Sequence, residues 1–184
     1  RGNIRPIGDE SNHEKKSLGT ELAFEPALWV SDSWQMTDKL LVDYGTRLSS
    51  FLHTGPAKFY ANPDIRLSGK YSFTPDFSLK AGFNTMSQYI HMISNTTSVS
   101  PMNTWKLSDD RLKPQPGWQA AAGAYLSVAK SLVDLSVETY YKRTYNYLDY
   151  KTGADLVMNE NLADELITTM GQAYGVEFMV RKPV

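Results

Sequence analysis

Four stretches of this sequence keep all their charged side chains on one parity. From Leu40 to His53, the apolar Leu40, Val42, Tyr44, Leu48 and Leu52 alternate with Asp43, Gly45, Arg47, Ser49 and His53. Ile65, Leu67, Gly69 and Tyr71 alternate with Asp64, Arg66, Ser68 and Lys70. Val133, Leu135, Val137 and Tyr141 oppose Asp134, Ser136, Glu138, Tyr140 and Lys142. Tyr174, Val176, Phe178 and Val180 oppose Gly175, Glu177 and Arg181. Random placement would give this about one time in 64, because only a strand alternates its side chains with period two. The pattern predicts two-faced β-strands, and Val, Ile, Tyr, Phe and Thr dominate the runs as strands require.

Seven such runs are expected, at about 21–36, 39–53, 64–73, 77–93, 117–127, 132–143 and 171–182, the sixth extending toward Tyr150. In the first, Asp32 breaks the parity of Glu21 and Glu25, and Pro26 marks a bulge or edge irregularity. A short helix is expected at Glu160–Ile167, where Leu162 and Leu166 lie four apart. The connections alternate in length. Tight turns fall near 37–38, 74–76 and 129–131, and long loops at 54–63, 94–116 and 144–170. All short connections would then lie on one edge of the sheet and all long ones on the other. Such segregation is the habit of transmembrane β-barrels, whose strands cross the apolar band in about 9–11 residues. Aromatics gather at both edges: Trp34, Tyr71, Phe73 and Phe77 by the tight turns, and Tyr89, Trp118, Tyr140, Tyr141, Tyr145, Tyr147 and Tyr150 toward the long loops. Two interfacial girdles account for them. The fold expected is an all-β, antiparallel up-and-down meander of about seven long strands, an arc of a larger barrel.

Composition narrows the function. The 184 residues hold 19 basic and 20 acidic side chains, a net charge of −1, which lacks the basic footprint of a nucleic-acid binder. There is no cysteine, so neither disulfides nor thiolate metal sites are available. No apolar run reaches the roughly 20 residues of a membrane helix. His13, His53 and His91 show no ligand spacing, and no nucleophile triad or phosphate-binding loop is present. Catalysis, a metal and a cofactor are therefore not expected.

Ala27-Leu28-Trp29-Val30-Ser31-Asp32, with Leu41-Val42-Asp43-Tyr44-Gly45-Thr46-Arg47-Leu48-Ser49, resembles the barrel of TonB-dependent outer-membrane receptors, of the type common in Bacteroidetes. Gln88-Tyr89-Ile90-His91, Pro101-Met102-Asn103-Thr104-Trp105, Glu138-Thr139-Tyr140-Tyr141-Lys142 and Ala173-Tyr174-Gly175-Val176-Glu177-Phe178 are similar to later parts of it. The resemblance implies a 22-stranded barrel around a plug domain, in the outer membrane, importing a siderophore, cobalamin, glycan or peptide with energy from TonB. Its partners would be outer-membrane lipid, the plug, the TonB complex and a substrate-capture lipoprotein. Residues 1–20 are expected as a polar extracellular loop and 21–184 as a partial barrel, the chain being a piece of a longer protein.

On this reading Asp43, Arg47, Arg66, Lys70, Lys80, Glu138, Lys142, Glu177 and Arg181 face the lumen, and Val42, Leu48, Leu67, Leu79, Val137 and Val176 face lipid. The long loops would bind the ligand through Trp105, Asp109, Asp110, Arg111, Tyr147 and Asp149, which combine aromatic faces with both signs of charge. The alternative from the residues alone is a soluble all-β module binding carbohydrate or another ligand.

Overall fold

The computed structural model describes residues 21–55, 57–94, 103–128, 132–151 and 166–182. These residues form ten strands and no helix: β1 (Ala23–Phe24), β2 (Ala27–Thr37), β3 (Leu40–His53), β4 (Lys58–Ser72), β5 (Phe77–Gln88), β6 (Ile90–Ser94), β7 (Asn103–Leu107), β8 (Gln115–Val128), β9 (Val133–Tyr150) and β10 (Leu166–Arg181). The main sheet runs β2–β3–β4–β5–β8–β9–β10, with β1 continuing the β2 edge along β3, and β6–β7 forms a separate hairpin. Every pairing is antiparallel. The seven long strands thus follow chain order as a meander. Between β1 and β2 the edge breaks at Glu25-Pro26, and the Pro26 carbonyl still accepts from Ser50 N at 2.9 Å.

Cross-strand partners share a face, so the register carries one face across the whole sheet. One continuous row runs Leu67–Phe83–Ala120–Tyr141–Tyr174. Two residues toward the tight turns, a parallel row runs Gly69–Ala81–Ala122–Thr139–Val176. The opposite face carries Lys70–Lys80–Gly123–Glu138–Glu177. No second layer of described residues covers the apolar face: Leu28 is 78% exposed, Phe178 77% and Val180 74%. Only Phe51, Tyr89 and Leu112 are buried hydrophobics among the described residues. A water-soluble sandwich would bury that face against a second sheet. A single-layer wall with this much apolar surface instead needs an apolar surrounding.

The close approach of β2 to β3 requires glycine at one point. A Cβ on Gly45 would lie 2.9 Å from Ser31 Cβ and 3.0 Å from the Val30 carbonyl oxygen.

Three expectations change. The connection at 54–63 is not long, because β4 begins at Lys58 and pairs with His53. Asn62-Pro63 lies inside the strand. Ile65 N donates to Thr85 Oγ1, toward β5, so the missing N–H of Pro63, two residues away, falls on the same side. There the β4–β5 ladder has already ended at Arg66↔Asn84, and no hydrogen bond is lost. The expected helix fails where it can be seen: Leu166 and Ile167 open β10, opposite Tyr150 and Asp149, while 160–165 lie outside the described residues. Tyr89 leaves the aromatic girdle and is buried on the charged side of the wall.

Two groups of aromatics touch on the apolar side, while Tyr125 and Tyr140 fall on the charged face by register. Tyr71, Phe73 and Phe77 touch near the 73–76 turn, with centroids 4.6 and 5.5 Å apart. Phe83, Trp118, Tyr141 and Tyr174 make an oblique row across four strands, at 6.0, 5.3 and 6.5 Å.

Candidate functional site

After Gln88 the chain leaves the wall and turns inward over the charged face. Tyr89 fixes the turn. Its ring stacks on Phe51 at 5.1 Å with planes 8° apart. Its hydroxyl accepts from Asn62 Nδ2 at 2.9 Å, donates to the Ser49 carbonyl at 3.1 Å and lies 3.1 Å from Ser49 Oγ. A buried phenol needs such partners, and Ser49 and Asn62 supply them because both sit on the charged parity of β3 and β4.

The β6–β7 hairpin is fastened along its length. Ser108 N donates to the Tyr89 carbonyl at 2.8 Å, and the Tyr60 hydroxyl donates to the Asp109 carbonyl. Lys106 Nζ meets Glu21 Oε1 at 2.6 Å, tying β7 to the edge of the sheet beside β1. His91, only 3% exposed, pairs Nε2 with Ser108 Oγ at 3.0 Å, and its Nδ1 has no partner among the described residues. Burial lowers the pKa of this imidazole; the nearby Gln115 side chain and the charge of Asp109 oppose the shift in part.

Between hairpin and wall lies an open cavity of about 450 Å³. Its wall side is Met86, Gln88, Gln115, Gly117, Lys142 and Thr144; Trp105 and Ile90 come from the hairpin, and Glu25 from the β1–β2 break.

Of the residues expected to bind ligand, Trp105 lines this cavity and is 64% exposed. Asp109 spends Oδ1 on its own turn, accepting from Arg111 N at 2.8 Å and Leu112 N at 2.7 Å. Asp110 and Arg111 are exposed on that turn. Tyr147 and Asp149 lie farther along β9, opposite Thr169 and Ile167. A bulge between Thr144 and Tyr147 inserts one extra residue, and Asn146 takes a φ of 53° there. The extra residue inverts parity, turning Tyr147 and Asp149 to the charged face and Leu148 and Tyr150 to the apolar one.

Asp43, Arg47, Arg66, Lys70, Lys80, Glu138, Lys142, Glu177 and Arg181 all fall on one face by register. Several are locally engaged: Asp43 accepts from Ser33 Oγ and Ser68 Oγ, Lys80 Nζ sits 4.5 Å from the Tyr125 ring centroid, and Arg181 pairs with Asp134 at 2.7 Å. Of these nine, only Lys142 lines the cavity. Sequence reasoning missed Tyr89, Ser49 and Asn62 as anchors, and Glu25, Gln88, Gln115 and Thr144 as cavity walls. The one available signal was Tyr89 itself, which interrupts the alternation between two strand-like runs.

The likenesses to known proteins agree with this architecture. The family model described as "TonB dependent receptor-like, beta-barrel" matches residues 2–181. No curated protein matches the sequence. Among solved structures, the chain is similar to the ferric-catecholate import receptor Fiu of Escherichia coli K12 in its closed form. The identity is 12% and the TM-score 0.60, with 88% of this chain and 26% of that one covered. It is also similar to the alcaligin outer-membrane receptor FauA of Bordetella pertussis, at 10% identity and TM-score 0.56, covering 88% and 27%. The chain spans about a quarter of the length of these structures. At such identities they speak for the fold alone, while the family match covers nearly the whole chain. The chain belongs to the TonB-dependent receptor-like β-barrel family and forms part of the wall of an outer-membrane barrel.

Proposed function

We propose that the full-length protein imports a nutrient across the outer membrane with energy delivered through TonB, and that this segment supplies part of the lumen wall and of the ligand-receiving side. The observation that carries the reading is the two-faced, single-layer wall with a hairpin folded over its charged face. The apolar face lies against lipid, and the charged face, from Asp43 to Arg181, lines the lumen beside a plug. Lumen charges keep the passage hydrated and meet a polar plug. Ligand is received on the side of the inward hairpin, not at the tight turns near Asp38 and Asp76. Transport, not catalysis, is the activity proposed.

The test is receptor-dependent uptake in intact cells, with and without an energised inner membrane. Deleting Ile90–Leu107 in the full-length protein should abolish uptake while the barrel keeps its heat-modifiable gel mobility. Uptake that is unchanged by the deletion, or that needs neither TonB nor an energised membrane, would contradict the proposal.

A further inference from the structure

Among the paired residues of the main sheet, Arg143 is the one cation on the apolar face. Its register partners are Trp118 on β8 and Gln172 on β10. From Val133, at the tight-turn end of β9, the strand climbs about 34 Å to Arg143 at about 3.4 Å per residue. With a tilt of about 40° that is a height of about 26 Å. The apolar band of an outer-membrane barrel is about 25 Å tall, so Arg143 stands at its rim on the long-loop side. Its guanidinium lies 5.3 Å from the Tyr145 ring centroid and 3.6 Å from Met170 Sδ. Trp118 Nε1 donates to the Tyr145 hydroxyl at 3.4 Å, which fixes that ring. No carboxylate among the described residues pairs with Arg143, in contrast to Arg181 with Asp134. A thioether is a weak acceptor, so most of the guanidinium donors are left for a group outside the wall.

Below Arg143 the same face is hollow. Two open depressions, of about 430 and 530 Å³, share Ala122 and Thr139. Ala120, Ala122 and Ala124 of β8 form their floor, with Tyr141 and Val137 of β9 on one side and Leu79 of β5 on the other. The hollow begins about 7 Å from Trp118 along β8 and runs about 14 Å from Ala120 to Ala124. Half the hydrocarbon core of a bilayer is about 15 Å deep, so the hollow spans most of one leaflet. Its polar groups are already paired: Thr139 donates its hydroxyl to the Gly175 carbonyl at 3.1 Å, and Tyr141 donates to Gln172 Oε1 at 3.3 Å.

We propose that this part of the outer face is a selective site for one lipid with an anionic phosphate headgroup. The phosphate meets Arg143 at the rim, and an acyl chain lies in the hollow along β8. Bulk lipid solvates any apolar wall without regard to headgroup. A cation fixed above a chain-sized hollow instead discriminates, because a phosphate makes charge-assisted hydrogen bonds to guanidinium that a neutral headgroup does not match. The occupant is a lipid and not free phosphate, since the cation opens onto the same surface that faces the bilayer. The site is independent of what the receptor transports.

The test uses the purified full-length receptor in maltoside micelles, with native mass spectrometry to count retained lipid. The probes are dimyristoyl phosphatidic acid and dimyristoyl phosphatidylcholine. Because the whole barrel surface meets lipid, each variant is read against the unmodified receptor. Arg143→Gln should weaken phosphatidic acid at one site by about tenfold, the worth of one charge-assisted contact, and leave phosphatidylcholine unchanged. Arg143→Lys should restore most of that loss. Ala122→Leu fills the hollow and should weaken both lipids alike. Lys80→Gln, which removes the same charge from the opposite face, should change neither. Inorganic phosphate at the same concentration should not displace the phosphatidic acid. Heat-modifiable mobility serves as the folding control. Retention that is unchanged by Arg143→Gln, or reduced equally for both lipids, would overturn the proposal. So would displacement by inorganic phosphate, or an Ala122→Leu receptor that retains both lipids as before.

Discussion

Removing one oxygen, by Tyr89→Phe, should release the hairpin without dissolving the wall. The substitution keeps the ring and its stack on Phe51, 5.1 Å away. It deletes the hydroxyl that accepts from Asn62 Nδ2 at 2.9 Å and contacts Ser49 through both its carbonyl and its Oγ. Tyr89 is 1% exposed and Ser49 2%, so water does not readily replace what is lost. Leaving a buried donor unsatisfied costs about 1–3 kcal/mol, which raises local opening by about 5- to 150-fold. The readout is amide exchange in the full-length receptor in micelles. Ser108 N, which donates to the Tyr89 carbonyl, and Asp109 N, which donates to the Leu112 carbonyl, report the hairpin. Amides of Ala122 and Val137, deep in the β8–β9 ladder, report the wall. Faster exchange confined to the hairpin is the expected result. Unchanged exchange at Ser108 would mean that the hydroxyl network does not hold the hairpin. An equal rise at Val137 would mean that the wall itself depends on it.

Other outcomes follow from the same geometry. Val137→Arg on the apolar face should cost about 2–4 kcal/mol of folding stability in lipid if it lies near the bilayer midplane, as read from urea titrations in vesicles. Gly45→Ala should destabilise the β2–β3 edge by about 1–3 kcal/mol in the same titration, because its Cβ would meet backbone and Cβ atoms that cannot swing away. Hairpin docking should be pH-dependent. Since burial places the His91 pKa below its ordinary value of about 6.5, docking is at full strength above that pH and weakens as pH falls below it. Hydrogen exchange at Ser108 should therefore quicken, relative to the wall, between pH 7.5 and pH 5, and His91→Gln should flatten that dependence.

The wall was legible in the sequence because a membrane sheet is written in a local code. Alternation at Leu40–His53 or Val133–Lys142 needs no distant partner to be read, and cross-strand register then joins the faces it defines. Asn62-Pro63 misled because the tolerance of Pro63 depends on where the neighbouring β5 stops pairing, a fact set by another strand. The same limit hid the direction of Tyr147 and Asp149. A single inserted residue at Asn146 inverts their faces, and no pattern on β9 alone announces it. Its neighbours in sequence place Tyr89 in the girdle. Its burial follows from Phe51 and Asn62, 38 and 27 residues away, and only folding brings these together. The cavity was less legible still, since its lining comes from five strands and the β1–β2 break.

The two-faced wall is tested most directly by a spin-label scan along β9. The chain has no cysteine of its own, so each thiol introduced from Val133 to Lys142 is unique within this segment. In the full-length receptor in lipid vesicles, labels at Val133, Leu135, Val137, Thr139 and Tyr141 should collide preferentially with oxygen dissolved in the bilayer. Labels at Asp134, Ser136, Glu138, Tyr140 and Lys142 should instead collide with a water-soluble nickel chelate or be shielded by the plug. An accessibility period of two, in that phase, is the predicted result. A scan with no alternation, or with the two sets exchanged, would contradict the account.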